Sequence, residues 1–397
     1  MKRRDFISKA SVATIGICVA PAILPSGHLG LSAPKPMKMG IIGTGARGSG
    51  LIPFINEIDN LEVAACCDVL SFRLENALNR CENSVEAYSD YRKLLEDPTI
   101  DAVLIATPFS MHEQMALDAI DAGKHVYCEK TMAKGYAGLQ KLVTAASGSN
   151  NVFQTGHQYH SSRLYGHVAQ QIKSGMVGNI SAVECQWNRH GNWRRAVPNE
   201  NLEKIINWRM YREYSGGLVA ELCSHQIDFV NWISDSLPET VMGVGGIDYW
   251  KDGRETFDNI HLIYTYPKGI KATFTCLTSN AKDGYQIKVI GDKGTIILDY
   301  AKAWFYPEGS YKKTENTEVD GVSGATRTWE KGMGIPIKIE HLDPSKQALI
   351  DFRDCIQKEK IPITNALTGA NTAACVQMAL DAMYENKIVK WRDFMTT

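Results

Sequence analysis

An apolar run at 37–42 breaks into Gly-Thr-Gly-Ala-Arg-Gly at 43–48, and a helical stretch continues from there to about Ile58. The three glycines answer three separate needs. Gly43 permits the tight turn out of the strand, Gly45 lets the backbone approach a diphosphate at the helix N-terminus, and Gly48 lets helix and strand pack closely. A second buried strand, 61–67, ends on Asp68, 25 positions after Gly43. A carboxylate there is placed to bond the ribose hydroxyls of an adenosine dinucleotide and to repel a 2′-phosphate. The expected cofactor is therefore NAD, held at Gly43, Thr44, Gly45, Ala46, Arg47, Gly48 and Asp68. The nearby cations Arg47 and Arg73 leave NADP open, and a Rossmann-like domain for another nucleotide or for S-adenosylmethionine is the competing reading.

Strands and helices go on alternating. Helical segments around 71–81 and 89–96 precede a strand at 102–106, the turn Thr107-Pro108, a helix through Ala122 and a strand at 125–128. Apolar strands between helices predict a parallel, doubly wound sheet. Beyond about residue 155 the rhythm changes to alternating stretches at 179–189, 239–247, 258–266, 270–279, 284–290 and 294–299, with turn signals at 268–269 and 292–294. The expected fold class is α/β, a Rossmann domain followed by an α+β domain with a large, mostly antiparallel open sheet. The division is 1–33 export signal and linker, 34–155 NAD-binding, and 156–397 substrate and oligomerisation. Helices at 343–357 and 367–385 are expected to pack back on the first domain.

The N-terminus differs in kind. Arg3-Arg4 precede Phe6, and no charge occurs from Ala10 to Leu24, a length suited to a signal core and short for a bilayer. The pair resembles a twin-arginine signal, an address for export of already folded proteins by the Tat machinery to the periplasm. An ordinary signal or a membrane anchor is the alternative; the mature form is expected to keep no membrane span. The 43 Lys+Arg and 44 Asp+Glu residues nearly cancel, leaving no field to recruit nucleic acid. The ten cysteines show no CxxC or metal-ligand spacing. Cys66, Cys67, Cys128, Cys185 and Cys276 fall inside apolar runs and read as small buried residues, so no metal site is expected.

Glu129-Lys130-Thr131 follows the strand at 125–128, at the edge where such sheets bind ligands. The competing reading is a solvated ion pair. Together with the glycine motif, Ala106-Thr107-Pro108 and His112, these residues resemble the Gfo/Idh/MocA family, whose usual form here is Glu-Lys-Pro. The resemblance covers essentially the whole mature chain. It implies that Lys130 contacts nicotinamide ribose and substrate hydroxyl, that Glu129 borders the cofactor, and that Ala106, Thr107, Pro108 and His112 line the nicotinamide end. Thr131 departs from the family's proline.

Gly216-Gly217 open a helix predicted over 218–233 that carries Glu221, His225 and Asp228 at spacings of four and three, hence on one face. A structural His–carboxylate pair is the alternative to a functional set. The family pattern has Asp where this chain has Glu221. By resemblance, His225 is the general acid/base, Lys130 orients the reacting hydroxyl, and Glu221 and Asp228 support His225. Trp193-Arg194 and Trp208-Arg209 are candidate sugar contacts; His157, Gln158 and Tyr159, after the sixth strand, are expected to reach nicotinamide or substrate.

Free NAD is not expected outside the cytoplasm, so an exported enzyme must carry its cofactor tightly bound and recycle it in place. The expectation is a ping-pong sugar or glycoside dehydrogenase, acting for instance at C3. An NAD-dependent glycosidase working by oxidation, elimination, hydration and reduction is the alternative, and a non-catalytic carbohydrate-binding member is a third reading. A homo-oligomer is implied by the resemblance alone.

Overall fold

Strands buried on both faces must be apolar throughout, and this decides the first half of the molecule. In the computed structural model, which describes residues 35–309, 312–313, 329–330 and 334–395, the first half comprises β1 (Met37–Ile42), α1 (Ala46–Asn56), β2 (Leu61–Cys67), α2 (Ser71–Leu78), β3 (Glu86–Tyr88) and α3 (Tyr91–Glu96). It continues through β4 (Ala102–Ile105), α4 (His112–Asp121), β5 (His125–Cys128), α5 (Tyr136–Ser147) and β6 (Phe153–Thr155). All six strands are parallel, in the order β3-β2-β1-β4-β5-β6. Every residue of β4 is buried. The order reverses between β1 and β4, which opens a crevice at the C-terminal ends of the strands. The export-signal reading falls on residues 1–33, which lie outside the described residues.

The second half comprises α6 (Arg163–Lys173), β7 (Ile180–His190), α7 (Glu203–Ile206), α8 (Ser224–Ser234), β8 (Thr240–Gly246), β9 (Asn259–Thr265), β10 (Lys271–Leu277) and β11 (Ser279–Gly291). It ends with β12 (Gly294–Leu298), β13 (Ala303–Pro307), the ribbon strands β14 (Lys312–Lys313) and β15 (Trp329–Glu330), β16 (Ile335–Ile337), α9 (Pro344–Gln357), α10 (Ala366–Tyr384) and β17 (Val389–Lys390). Nine strands make one sheet, β16-β13-β12-β11-β7-β10-β9-β8-β17, antiparallel except where β7 meets β10. Burial alternates along it: Ile260, Leu262 and Tyr264 of β9 face the core while His261 and Ile263 face outward. The fold class is therefore the expected one, a Rossmann sheet followed by a mostly antiparallel sheet.

The C-terminal helices tie the halves together. Ala348, Leu349 and Phe352 of α9 pack with Met39 and Ile41 of β1 and Leu51 of α1. Helix α10 has 13 of its 19 residues buried, and Leu367, Thr368, Asn371, Gln377, Asp381 and Tyr384 make its partly exposed side. Its Ala370 and Ala374 join the core under the parallel sheet, while its Val376 and Ala379 join the core under the second sheet. Among the described residues no helix is long and apolar enough to cross a membrane. Cys66, Cys67, Cys128, Cys185 and Cys276 are buried and unpaired.

Close packing at the first turn is tightest at Gly48, where a Cβ would lie 2.0 Å from the Gly43 carbonyl oxygen. Gly48→Ala must push α1 away from β1. Urea unfolding is expected to show a loss of about 1–3 kcal/mol, the usual cost of overpacking. An unchanged midpoint would mean that the helix can shift freely.

Candidate active site

Gly43 adopts φ +89° and donates from its N–H to the Cys67 carbonyl at 2.8 Å, which ties the glycine loop to β2. Asp68 strengthens that tie. One carboxylate oxygen accepts from the Thr44 N–H (2.8 Å) and hydroxyl (3.2 Å), and the other from the Leu70 N–H (2.9 Å). Sequence reading reserved Asp68 for a ribose; in the fold it also staples the loop. A Cβ on Gly45 would meet only the Arg73 guanidinium, at 3.7 Å, and Gly45 borders a cavity of about 480 Å³ together with Thr44 and Ala46. Backbone left bare beside a roomy cavity at a helix N-terminus is what a dinucleotide diphosphate requires, so these residues fit that group.

Arg47, in the first turn of α1, donates through Nε to Glu129 at 2.7 Å and through Nη1 to Ser345 at 3.0 Å; its buried Nη2 has no partner. Burial would lower its pKa, but Glu129, with Tyr127 and Asp343, more than offsets this and raises it, so the guanidinium stays charged. Glu129 packs against bare backbone, since a Cβ on Gly156 would lie 2.8 Å from its carboxylate. Ala106 closes the other side of the loop, with its carbonyl 2.8 Å from where a Gly43 Cβ would sit. Thr107 and Pro108 then lead into a short 3-10 turn, Phe109–Met111. His112 is buried, with Nδ1 2.8 Å from the Thr131 carbonyl and Nε2 3.0 Å from the Thr107 carbonyl. Both ring nitrogens thus face backbone carbonyls, of which a neutral ring, with its single N–H, can donate to one. His112 braces the two lips of the crevice.

The helix expected over 218–233 does not run uniformly. Val219–Cys223 forms a π turn and α8 begins at Ser224. Such turns displace backbone carbonyls from the regular ladder. Here the Lys130 ammonium takes two of them, Ala220 at 3.2 Å and Glu221 at 2.8 Å, and the Thr131 hydroxyl reaches Ala220 at 3.3 Å. The Lys130–Thr131 peptide is cis. Burial lowers the Lys130 pKa, with Glu221 and Glu129 opposing that shift. The Glu221 carboxylate is bonded by Arg209 Nε at 2.7 Å; burial pushes its pKa up, but Arg209 and Lys130 hold it below the usual range.

The π turn changes the phase of the helix before His225, and the three groups expected to act together separate. Asp228 lies 2.7 Å from His160 Nδ1 and accepts from the Thr372 hydroxyl of α10 at 3.0 Å. Glu221 turns to Arg209. Direct support of His225 by these two carboxylates is therefore replaced by an aromatic enclosure. The His225 ring stands 5.0 Å from Tyr159, 5.9 Å from Trp187 and 6.1 Å from His157, and its buried Nδ1 has no partner among the described residues. Burial, then Lys130 and His157, force its pKa well below the ordinary histidine value. The ring is neutral at neutral pH and able to accept a proton.

His157 is also buried, with Nδ1 3.1 Å from the Thr155 hydroxyl and Nε2 unpartnered. Gln158 and Tyr159 line a cavity of about 410 Å³ with Tyr300, His341 and Asp343. Tyr285 stacks on Tyr300 at 4.4 Å and meets Trp187 edge-on at 4.8 Å. The candidate sugar contacts fare unequally. Arg194 is tied to Asp252 and Glu203, Trp193 carries the Arg189 guanidinium over its ring at 4.7 Å, and Trp208 is buried in the core. Of the two pairs, only Arg209 enters the site, through Glu221. Sequence reading missed His160, Trp187, Tyr285, Tyr300 and Thr372. Trp187 and Tyr285 sit opposite each other in the β7–β11 register, a pairing no local pattern displays. Among the described residues no cluster of His, Cys, Asp and Glu is arranged to hold a metal.

Residues 37–157 match the oxidoreductase-family NAD-binding Rossmann fold of the Gfo/Idh/MocA type, and residues 169–391 match the same family's C-terminal alpha/beta domain. The chain belongs to the Gfo/Idh/MocA oxidoreductase family. It is similar to the 2,7-anhydro-N-acetylneuraminate hydratase of Escherichia coli K12, with 26% identity over 84% of this chain and 87% of that one. The fold is shared with the aldose-aldose oxidoreductase of Caulobacter crescentus, at 19% identity and TM-score 0.72 over 90% of this chain and all of that one. It is shared equally with a levoglucosan dehydrogenase solved with NADH and levoglucosan, at 18% identity and TM-score 0.72 over 90% and 99% of the two chains.

His112, His157 and His225 all have pKa values lowered first by burial. In the unfolded chain each returns to about 6.5. Below that pH the unfolded chain binds protons that the folded one refuses, so the stability these groups allow is complete above about 6.5 and falls on acidification. The thermal midpoint is expected to drop between pH 7 and 5, with a shallower drop in His157→Gln. A midpoint flat over that window would count against neutral buried rings.

Proposed function

We propose that this NAD-binding oxidoreductase is exported to the periplasm and acts on a hydroxyl or ketone carbon of a sugar or glycoside, C3 included, with a nicotinamide dinucleotide that stays bound between turnovers. The observation that carries the reading is the neutral, unpartnered His225 under the influence of the Lys130 ammonium, beside the Trp187–Tyr285–Tyr300 shelf. Aromatic faces of this kind suit the C–H faces of a sugar ring. When bound, the nicotinamide takes up or returns the hydride of the carbinol carbon. His225 removes the hydroxyl proton, and Lys130 hydrogen-bonds the same oxygen as negative charge develops on it. Arg209 keeps Glu221 ionised next to Lys130, which favours the charged ammonium. The Arg3-Arg4 signal supports export of a folded, cofactor-loaded protein, and family resemblance supports a homo-oligomer.

A redox-neutral cycle is the second reading, favoured by the likeness to a hydratase, since hydration changes no net oxidation state. The experiment is purification without added cofactor, followed by nicotinamide absorbance and a panel of sugars and glycosides. Reduction by one sugar and re-oxidation by a second carbonyl compound would support the ping-pong dehydrogenase. Product formation without change in the cofactor spectrum would favour the redox-neutral cycle. A protein indifferent to NAD(H) would overturn both.

A further inference from the structure

We propose that the segment from Arg194 to Ile206 is the outer wall of the cofactor groove, and that Arg195 is the cation by which it retains the dinucleotide at its diphosphate end. This rests on the reading that a nicotinamide dinucleotide is the cofactor. The cavity beside the glycine loop has Thr44, Gly45 and Ala46 on one side and Arg195, Pro198 and Ile206 on the other. The second half of the chain therefore reaches back over the N-terminus of α1. The reach is built into the structure. The Arg195 N–H donates to Asn207 Oδ1 at 2.7 Å and its carbonyl accepts from Asn207 Nδ2 at 2.9 Å. Asn207 is only 2% exposed and also donates to Glu203 at 2.9 Å. A buried amide thus clasps the backbone of a residue whose own side chain is exposed.

Charge points the same way. Neighbouring arginines are matched by carboxylates, Arg194 by Asp252 and Glu203 and Arg209 by Glu221. Arg73, Arg80 and Arg195, which all line this cavity, form no salt bridge among the described residues. Arg73 and Arg195 repel each other across the groove, Asp68 offsetting part of this at Arg73, and an anion between them would relieve the rest. A diphosphate supplies that charge, and Arg195 can meet it with charge-assisted hydrogen bonds. Because the wall comes from the substrate half, the cofactor is gripped from both halves and leaves only if this segment gives way.

The test loads the intact protein with NADH, desalts it, and follows loss of bound-nicotinamide fluorescence while excess NAD chases. Wild type is expected to keep NADH through desalting. Arg195→Ala should release it about ten- to a hundredfold faster, the range expected for losing hydrogen bonds to a charged group. Arg195→Lys should fall between the two, and the unfolding midpoint of cofactor-free Arg195→Ala should match wild type because the side chain is exposed and unpaired. Equal release rates in wild type and Arg195→Ala overturn the proposal while leaving the cofactor reading intact. Failure of wild type to bind NADH overturns both.

Discussion

Lys130→Met is expected to slow reduction of the bound cofactor by the responsive sugar by about a thousandfold, with NADH binding retained. The ammonium stands at the C-terminal end of β5, held by the Ala220 and Glu221 carbonyls. Those bonds leave it capacity for one more acceptor, since an ammonium has three donors. Removing a donor aimed at developing negative charge costs about 10²–10³ in rate, and the loss of orientation adds to it. Methionine keeps the volume of the stem while removing the charge. Single-turnover reduction after rapid mixing, compared with NADH affinity by fluorescence, separates chemistry from binding. A variant that reduces the cofactor at wild-type rate would remove Lys130 from the reaction. A variant that no longer binds NADH would assign it to the cofactor site instead.

His225→Gln is expected to lose about 10²–10⁴ of the rate, the usual contribution of a positioned proton acceptor. The pH dependence is more diagnostic than the magnitude. With a pKa well below the ordinary value, wild type should hold its rate through neutrality and decline only in acid, as the ring takes a proton and can no longer accept one. The variant should lose that acid limb and instead gain rate as hydroxide increases. Asp228→Asn provides the contrast. Its carboxylate accepts from Thr372 and lies 2.7 Å from His160 Nδ1, away from the reacting groups, so the acid limb should keep its position even if stability falls. An acid limb displaced in Asp228→Asn but unmoved in His225→Gln would shift the base to the His157–His160 side.

What could be read from the residues alone depended on how local the physics was. The turn at Gly43, the packing at Gly48 and the end of β2 at Asp68 each follow from constraints within one βαβ unit, and they stand where periodicity placed them. Lys130 was legible because a strand end in such a sheet is a ligand-facing position. The helix carrying His225 was legible as a helix, but not its π turn, since the turn spans only Val219–Cys223 and the apolar residues on either side of it each still read as helical. That turn sends Glu221 to Arg209, and the distant Thr372 and His160 take Asp228, so the spacing argument for a three-member face failed. Trp208 misled for the opposite reason: an aromatic beside an arginine looks like a sugar platform, yet its ring is spent on the core. Trp187, Tyr285 and Arg195 depend on strand register or on a loop folding back. Neither leaves a mark on neighbouring residues.

Helix α10 has a consequence in time as well as in space. It supplies side chains to the cores under both sheets, yet it is synthesised after every strand of those sheets except β17. A nascent chain that has already made β1 through β12 still lacks the helix that closes each core, so neither half can complete on its own while the ribosome works. The site inherits this schedule, because Thr372 of that helix bonds Asp228 and Ser345 of α9 bonds Arg47. These contacts of the site therefore form only once the last two long helices have been made. Whether the last long helix has found its place thus decides whether both cores and the site beside them are complete.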